Sequence, residues 1–519
     1  MLVLTPVLNG VGENLGDRLG LWLYDRMLRA STAPAGIAHL ESPDVVDELA
    51  IARDFDLGLS GPPLSLSLGI IGNGLVMLAT GIGQTMLLFG FSWWAPLLLG
   101  GAWASTHVLL KESTVWDRSE GEVRAAQRQA EYAYRLAVAA PAAREVRIFG
   151  LPDWLIARFA ANRRHLVSLR LRQTRLRQRP LGWALAILIA ANGLTVWAIA
   201  HGAVTGQLST AQVVVFAQAV VGASLIGFGG INWALPIAAD SVATIMRLDK
   251  SMGDAGYLEP GTASADGLPA AQIVFRDVSF SYAGRSRPVL DHLDLTIPAG
   301  TSLAVVGLNG AGKTTLIKLL CRLYDPDTGT IEVDGQDLRT FDIESWRSRM
   351  AAVFQDFARY ELPLRDNVAP LGAPDDVVAA SLAAADADDL GDLDTVVARG
   401  YPGGIELSGG QWQRVALARA LCAVRMGAYV VVLDEPTAQL DIRAEAAFFD
   451  RFLAAAQGRT TVLISHRFAT VRHADQICVL DGGRITELGS HGELMQRKGR
   501  YAELFELQAS RYLTEEFHA

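Results

Sequence analysis

Charge and cysteine are both scarce in this chain of 519 residues. Only 19% of the residues are Asp, Glu, Lys or Arg, where a soluble globular protein carries about 25%. Half of the sequence is hydrophobic and the mean hydropathy is +0.23, which excludes an intrinsically disordered chain. There are 3 cysteines, Cys321, Cys422 and Cys478. So few, so dispersed, they exclude a disulfide framework and point to small buried side chains in a reducing compartment. The 50 glycines follow no three-residue period, so a collagen-like fold is excluded too. A net charge of −9 offers no electrostatic footprint for a nucleic acid. At roughly 150 residues per domain, the length suggests about three domains' worth of material.

The missing charge has a location. Residues 57–110 and 180–239 contain no Asp, Glu, Lys or Arg at all. A membrane-spanning helix needs about 20 apolar residues, so each stretch accommodates two spans and a turn. The sequence predicts spans near 64–88, 92–110, 181–201 and 211–235. Between the pairs, residues 111–179 carry 15 Lys/Arg against 7 Asp/Glu. An excess of that sign places this loop in the cytoplasm and the uncharged hairpin tips outside. Pro141 and Gly150 bracket a ten-residue segment within the loop, a proline-start and glycine-exit pattern for a helix. The loop therefore reads as two helices extending into the cytosol, joined by a short transverse helix. The apolar start, 1–12, is too short to span and lacks the basic region and cleavage site of a secretory signal. Gly253, Gly256, Pro260, Gly261, Gly267 and Pro269 mark a linker. The expected division is a helical transmembrane domain over 1–250, a linker over 251–270 and an α/β domain over 271–519.

The C-terminal half carries phosphate chemistry. An apolar strand at 302–306 runs into Gly307-Leu-Asn-Gly-Ala-Gly-Lys-Thr-Thr315, the G-x-x-x-x-G-K-[ST] loop in its strand-to-helix context. Gly307, Asn309, Gly310 and Gly312 belong to a backbone cradle for phosphates, Lys313 adds charge, and Thr314 and Thr315 open the following helix, whose N-terminus favours an anion. The Thr314 hydroxyl suits Mg²⁺. A buried strand over 429–433 ends in Asp434 and Glu435, the first placed for the metal's water shell and the second to polarise an attacking water. Ser408, Gly409, Gly410 and Gln411 begin a second helical pattern and so a second anion site. One phosphate cannot readily sit at two helix starts of one domain. A head-to-tail dimer, with each nucleotide between one chain's Lys313 loop and the other's Ser408 helix, resolves this. His466 follows another apolar strand, 461–465.

Together these residues resemble the ATP-binding cassette transporters, specifically the exporter-type half-transporters that fuse membrane and nucleotide domains. The motif set covers about 273–510 in family order. The resemblance implies an α-helical transmembrane domain followed by an α/β P-loop ATPase with a helical signature subdomain. It implies that Tyr282 stacks on adenine, that Gln355 touches Mg²⁺ and reports the nucleotide state, that Asp441 crosses the dimer interface and that His466 contacts the γ-phosphate. It also implies that 42–48 and 142–149 dock on the nucleotide domains. ATP and Mg²⁺ are the expected ligands. A second copy or a related half-transporter, membrane lipid and an unknown cargo are the expected partners, in a bacterial plasma membrane. The family has six spans where this sequence shows four, so Met1 is expected to fall inside the second. The segment Gly400-Tyr-Pro-Gly-Gly-Ile-Glu406 also lacks the Glu-Arg-Gly version common in multidrug exporters. The expected activity is ATP-driven export of an apolar or amphipathic substrate; an importer using the same fold, or a membrane-anchored regulatory ATPase without cargo, are the alternatives.

Overall fold

The computed structural model describes residues 4–52, 63–114, 121–173, 178–228, 231–285, 287–436, 452, 454–465 and 467–507. His466 and Asp441 lie outside these residues. The chain divides into two compact units: Met1–Pro34 with His39–Ala255, and Ala35–Ala38 with Gly256–Ala519.

The first unit is helical: α1 (Leu4–Thr32), α2 (Ala38–Glu41, whose first residue belongs to the second unit), α3 (Pro43–Ala52), α4 (Leu64–Leu87), α5 (Trp94–Thr114), α6 (Gly121–Val138), α7 (Ala140–Ile148), α8 (Pro152–Gln173), α9 (Gln178–Val204), α10 (Thr210–Ala223), α11 (Leu225–Phe228) and α12 (Ile231–Ala255). Among the described residues, three helical segments are long and apolar enough to cross a membrane: Leu66–Gly90, Gly182–Val204 and Thr210–Gly227. The stretch expected as the second span is also a helix, α5, but two tryptophans, Pro96 and His107 leave it less apolar. The stretch 211–235 is not one helix. It holds α10, α11 and the start of α12, with α10 closing at Ser224, whose hydroxyl turns back to donate to the Val221 carbonyl at 2.6 Å.

Two of this unit's apolar clusters join helices distant in sequence. Leu23 and Met27 of α1 pack with Ile245, Leu248 and Met252 of α12, while Leu88, Leu99, Ile199 and Phe216 form the other. Arg26 clamps α1 to α12 through Asp249 at 2.7 Å. Within the described part of the basic loop, α6 and α8 pair along Val123, Ala126, Leu166 and Leu169, and α7 between them in sequence carries Pro141 in its first turn. The Phe149 cap and Gly150, in the left-handed region at φ 61°, end α7 as the glycine predicts.

The second unit has two sheets. β1 (Gln272–Phe280), β2 (Leu290–Pro298), β4 (Thr328–Val333) and β5 (Gln336–Asp337) make an antiparallel sheet in the order β2-β1-β4-β5. The other sheet runs β10 (Arg484–Gly489), β9 (Gln476–Asp481), β3 (Ser302–Val306), β8 (Thr460–Ile464), β7 (Val430–Asp434), β6 (Met350–Val353). It is parallel except for the β9–β10 hairpin. All five residues of β7 and of β8 are buried, which is why these strands read as unbroken apolar runs rather than alternating ones. Helices α13 (Lys313–Leu320) and α14 (Ile343–Ser348) pack on the first core, and α15 (Leu364–Val368), α16 (Asp375–Ala384) and α17 (Gly409–Arg425) build a second. Further helices among the described residues include α18 (Phe468–Val471) and α19 (His491–Arg497). The three cysteines are free and buried, and burial pushes the Cys321 and Cys478 thiols up to about 12, as expected for inert core residues.

Candidate functional site

The phosphate loop lies where β3 hands over to α13, at the carboxyl end of the parallel sheet, the edge where open α/β sheets bind ligands. Gly312 takes φ 105° as the residue before α13, and a Cβ there would lie 2.7 Å from Leu290 Cδ2 and 3.0 Å from the Val289 carbonyl. Both the conformation and the space therefore require glycine. Lys313 is only 7% exposed. Its Nζ donates to the carbonyls of Gly307 at 2.9 Å and Leu308 at 3.1 Å, which holds the ammonium inside the loop's curve. Desolvation pushes its pKa below the usual lysine value, against the pull of Glu435 and Asp434.

The adjacent strand β7 brings the acids. Thr314 Oγ1 donates to Asp434 Oδ2 at 2.8 Å, joining residues 120 apart in sequence. Asp434 is 2% exposed. Glu435 follows at φ 49°, a backbone region that non-glycine residues seldom adopt and that costs about 1–3 kcal/mol. Its N–H donates to the Ile464 carbonyl of β8 at 3.0 Å, which pins the turn. The strand therefore ends abruptly with the Glu435 side chain at the cavity. That cavity, of about 540 Å³, is lined by Tyr282, Asn309, Gly310, Gly312, Lys313, Thr314, Thr315, Gln355 and Glu435, together with Arg285 and Val289. Tyr282 Oη lies 3.1 Å from Thr315 Oγ1, and its ring meets Phe280 and Tyr324 edge-on.

Most of the sequence-selected residues thus converge. Arg285 and Val289 were missed; an arginine in a turn has no pattern to announce it, although its guanidinium sits 5.9 Å over the Tyr282 ring. Ser408, Gly409, Gly410 and Gln411 are not among the residues lining the cavity. They form a complete N-terminal cap for α17 instead. The Gln411 N–H donates to Ser408 Oγ at 3.3 Å and the Ser408 N–H donates to Gln411 Oε1 at 2.8 Å.

Comparison with known proteins decides the family. The profile described as ABC transporter matches residues 290–438. The mycobactin import ATP-binding/permease protein IrtB of Mycobacterium tuberculosis is 33% identical over 424 residues, 80% of this chain and 70% of that protein. The chain belongs to the ABC transporter family. An ATP-dependent lipid A-core flippase of Thiobacillus denitrificans is 38% identical over 281 residues, 53% of this chain. The chain spans about half the length of that relative, with 46% of it covered. A solved bacterial Atm1-family ABC exporter with ATP bound superposes with a TM-score of 0.73 at 26% identity, over 97% of this chain and 86% of that one. The ABC exporter fold, helical membrane domain first and ATPase domain second, is therefore that of this chain, and its nucleotide unit is an ATP-binding domain.

Proposed function

We propose that the chain is an ATP-hydrolysing subunit of a dimeric membrane transporter that moves an apolar or amphipathic cargo by alternating access. The Thr314–Asp434 hydrogen bond carries the reading, because it sets the loop threonine, the buried acid, Lys313, Gln355 and Glu435 around one cavity. Thr314, Asp434 and Gln355 offer oxygen donors of the hard type that Mg²⁺ prefers, and the existing contact between the first two fits such a site. Bound there, Mg²⁺ supplies positive charge against the charge that develops on the transferred phosphoryl group.

The protein's own contribution is positional. Lys313 and the loop N–H groups grip the phosphates, Tyr282 offers a ring to the base, and Glu435 takes a proton from the water that attacks the γ-phosphorus. His466 and Asp441 are assigned to the γ-phosphate and the dimer interface by resemblance alone. The Ser408 helix lies off the cavity's lining in its own chain, which supports a second copy facing each nucleotide with that helix. With Lys313, Ser408 and Glu435 all present, a homodimer has two competent sites. The transverse helix α7 leaves Ile148 and Phe149 79% and 69% exposed, an apolar tip suited to docking on a nucleotide unit. The spans and the basic loop support a bacterial plasma membrane with the ATPase in the cytoplasm. The similarity to proteins named for lipid A-core flipping and mycobactin import supports a lipid-like cargo.

The test is reconstitution. ATPase activity in proteoliposomes should rise with at least one lipid or acylated ligand of a panel that also holds peptides and drugs. Activity indifferent to all of them, with no ATP-driven change in the spans, would leave a membrane-anchored ATPase without cargo. The relative named as an importer favours a second reading, uptake through the same fold, and transport in vesicles of defined orientation separates the two directions.

A further inference from the structure

The ring of Tyr282 is closely surrounded. Its Oη lies 3.1 Å from Thr315 Oγ1, and Phe280 and Tyr324 meet the ring edge-on at centroid distances of 5.0 and 5.6 Å. Lys318 Nζ stands 5.3 Å from the ring centroid and the Arg285 guanidinium 5.9 Å. Of Phe280, Tyr324, Lys318 and Arg285, only Arg285 also lines the nucleotide cavity. A base that approaches Tyr282 from the cavity therefore meets the guanidinium first.

A turn aims the arginine there. The Arg285 N–H donates to the Tyr282 carbonyl at 3.1 Å, and Gly284 between them takes φ 81°. A positive φ at the third place of a four-residue turn calls for glycine or asparagine, and such a turn brings its first and last Cα atoms within about 7 Å. The long side chain can then fold back over the ring. No ion pair holds the guanidinium among the described residues. Arg285 also lines a second cavity of about 660 Å³, together with Gly284, Pro288, Gly482 and Gly483. The arginine thus partitions two cavities and has open space to retreat into.

Resting on the ATP-binding part of the proposed function, we infer that Arg285 is the second half of the base site, its planar guanidinium stacking on the base face that Tyr282 leaves open. Two stacked contacts of roughly 3.5 Å each need about 7 Å, against the 5.9 Å present without nucleotide. A withdrawal of about 1 Å towards the second cavity admits the base. The clamp combines cation–π attraction with flat-face stacking, which a guanidinium offers and an ammonium does not. Flat faces read the π surface of a base rather than its edge, so ATP and GTP depend on Arg285 alike.

The experiment titrates the full chain in lipid nanodiscs, in a Glu435→Gln background with Mg²⁺, by calorimetry. The probes are ATP, GTP and inorganic tripolyphosphate, which carries the phosphates without a base. Arg285→Ala should weaken ATP and GTP about tenfold each, within the range of a partly desolvated cation–π contact, and leave tripolyphosphate within twofold. Arg285→Lys, which keeps the charge without the plane, should still bind ATP at least threefold more weakly than the parent. With Glu435 intact, Arg285→Ala should raise KM for ATP by the factor seen in binding while kcat stays within twofold. Unchanged ATP affinity in Arg285→Ala overturns the inference alone. So does an equal loss for tripolyphosphate, which would place the guanidinium on the phosphates, and so does a loss confined to one purine, which would make the contact an edge contact. A parent that binds neither ATP nor GTP overturns the ATP reading and the inference with it.

Discussion

Strand β7 and helix α9 are both strongly apolar, and the molecule treats them oppositely. Every residue of β7 is buried, whereas in the apolar window of α9 only 22% is, and Trp183, Ile189 and Trp197 stand more than 60% exposed. The strand is apolar because protein surrounds it on both faces. The helix is long and apolar enough to cross a membrane, a setting in which its backbone groups would be satisfied within the helix itself. A similarly apolar composition therefore carries different consequences for substitution. The nucleotide unit should be sensitive at many buried points and at a few chemical ones, and the lipid-facing surface should tolerate size changes while rejecting charge.

The largest expected difference is chemical. Glu435→Gln should lower ATP turnover by about 10²–10⁴-fold, the usual range for a general base, with ATP binding retained and dimers accumulating. Turnover near the parent's would remove Glu435 from that role, whereas Trp197→Phe in α9 should leave turnover unchanged. Next comes packing. Leu316→Ala, at a position with no exposure, should cost the nucleotide unit about 2–5 kcal/mol in denaturant titrations. Leu185→Ala, 56% exposed on α9, should cost less than about 0.5 kcal/mol, and Leu194→Arg, near the middle of the apolar segment, should disfavour membrane insertion by about 2.5–3.5 kcal/mol. Equal sensitivity of Leu316 and Leu185 to alanine would erase the distinction between the two surroundings. Lys313→Ala should weaken ATP binding roughly 10–100-fold, as expected for a lost charge-assisted hydrogen bond of about 1.5–3 kcal/mol; calorimetric titration decides it. The smallest effect is at Ser408. Replacing it by alanine removes the cap of α17 and should cost about 1 kcal/mol of stability, yet lower ATPase activity out of proportion if a second copy's nucleotide meets that helix. Activity that falls only as far as stability does would confine Ser408 to capping.

The phosphate loop, the acidic strand end and the Ser408 cap were all legible as short contiguous patterns. Each relies on neighbours within about ten residues, so the chain order is nearly the spatial order. The transverse helix at α7 was legible for the same reason, since Pro141 and Gly150 punctuate it locally. What escaped was long-range or patternless. The Thr314–Asp434 bond spans 120 residues and could only be inferred from the two motifs' chemistry. Arg285 sits in a turn with no periodicity. The break after α10, at Ser224, is one that the uncharged run of 60 residues gave no reason to expect. The stretch 35–38 was hidden because its neighbours on both sides belong to helices of the other unit.

Composition and local spacing alone determined that this chain has segments apolar enough to cross a membrane and a phosphate-gripping domain, because insertion free energy and loop geometry are properties of short windows. Which residues from distant windows share a cavity was decided only by the parallel order of β3, β8, β7 and β6. That order sets the carboxyl ends of β3 and β7 side by side around β8, and strand pairing is a contact between backbones that carries no mark in the sequence of either strand.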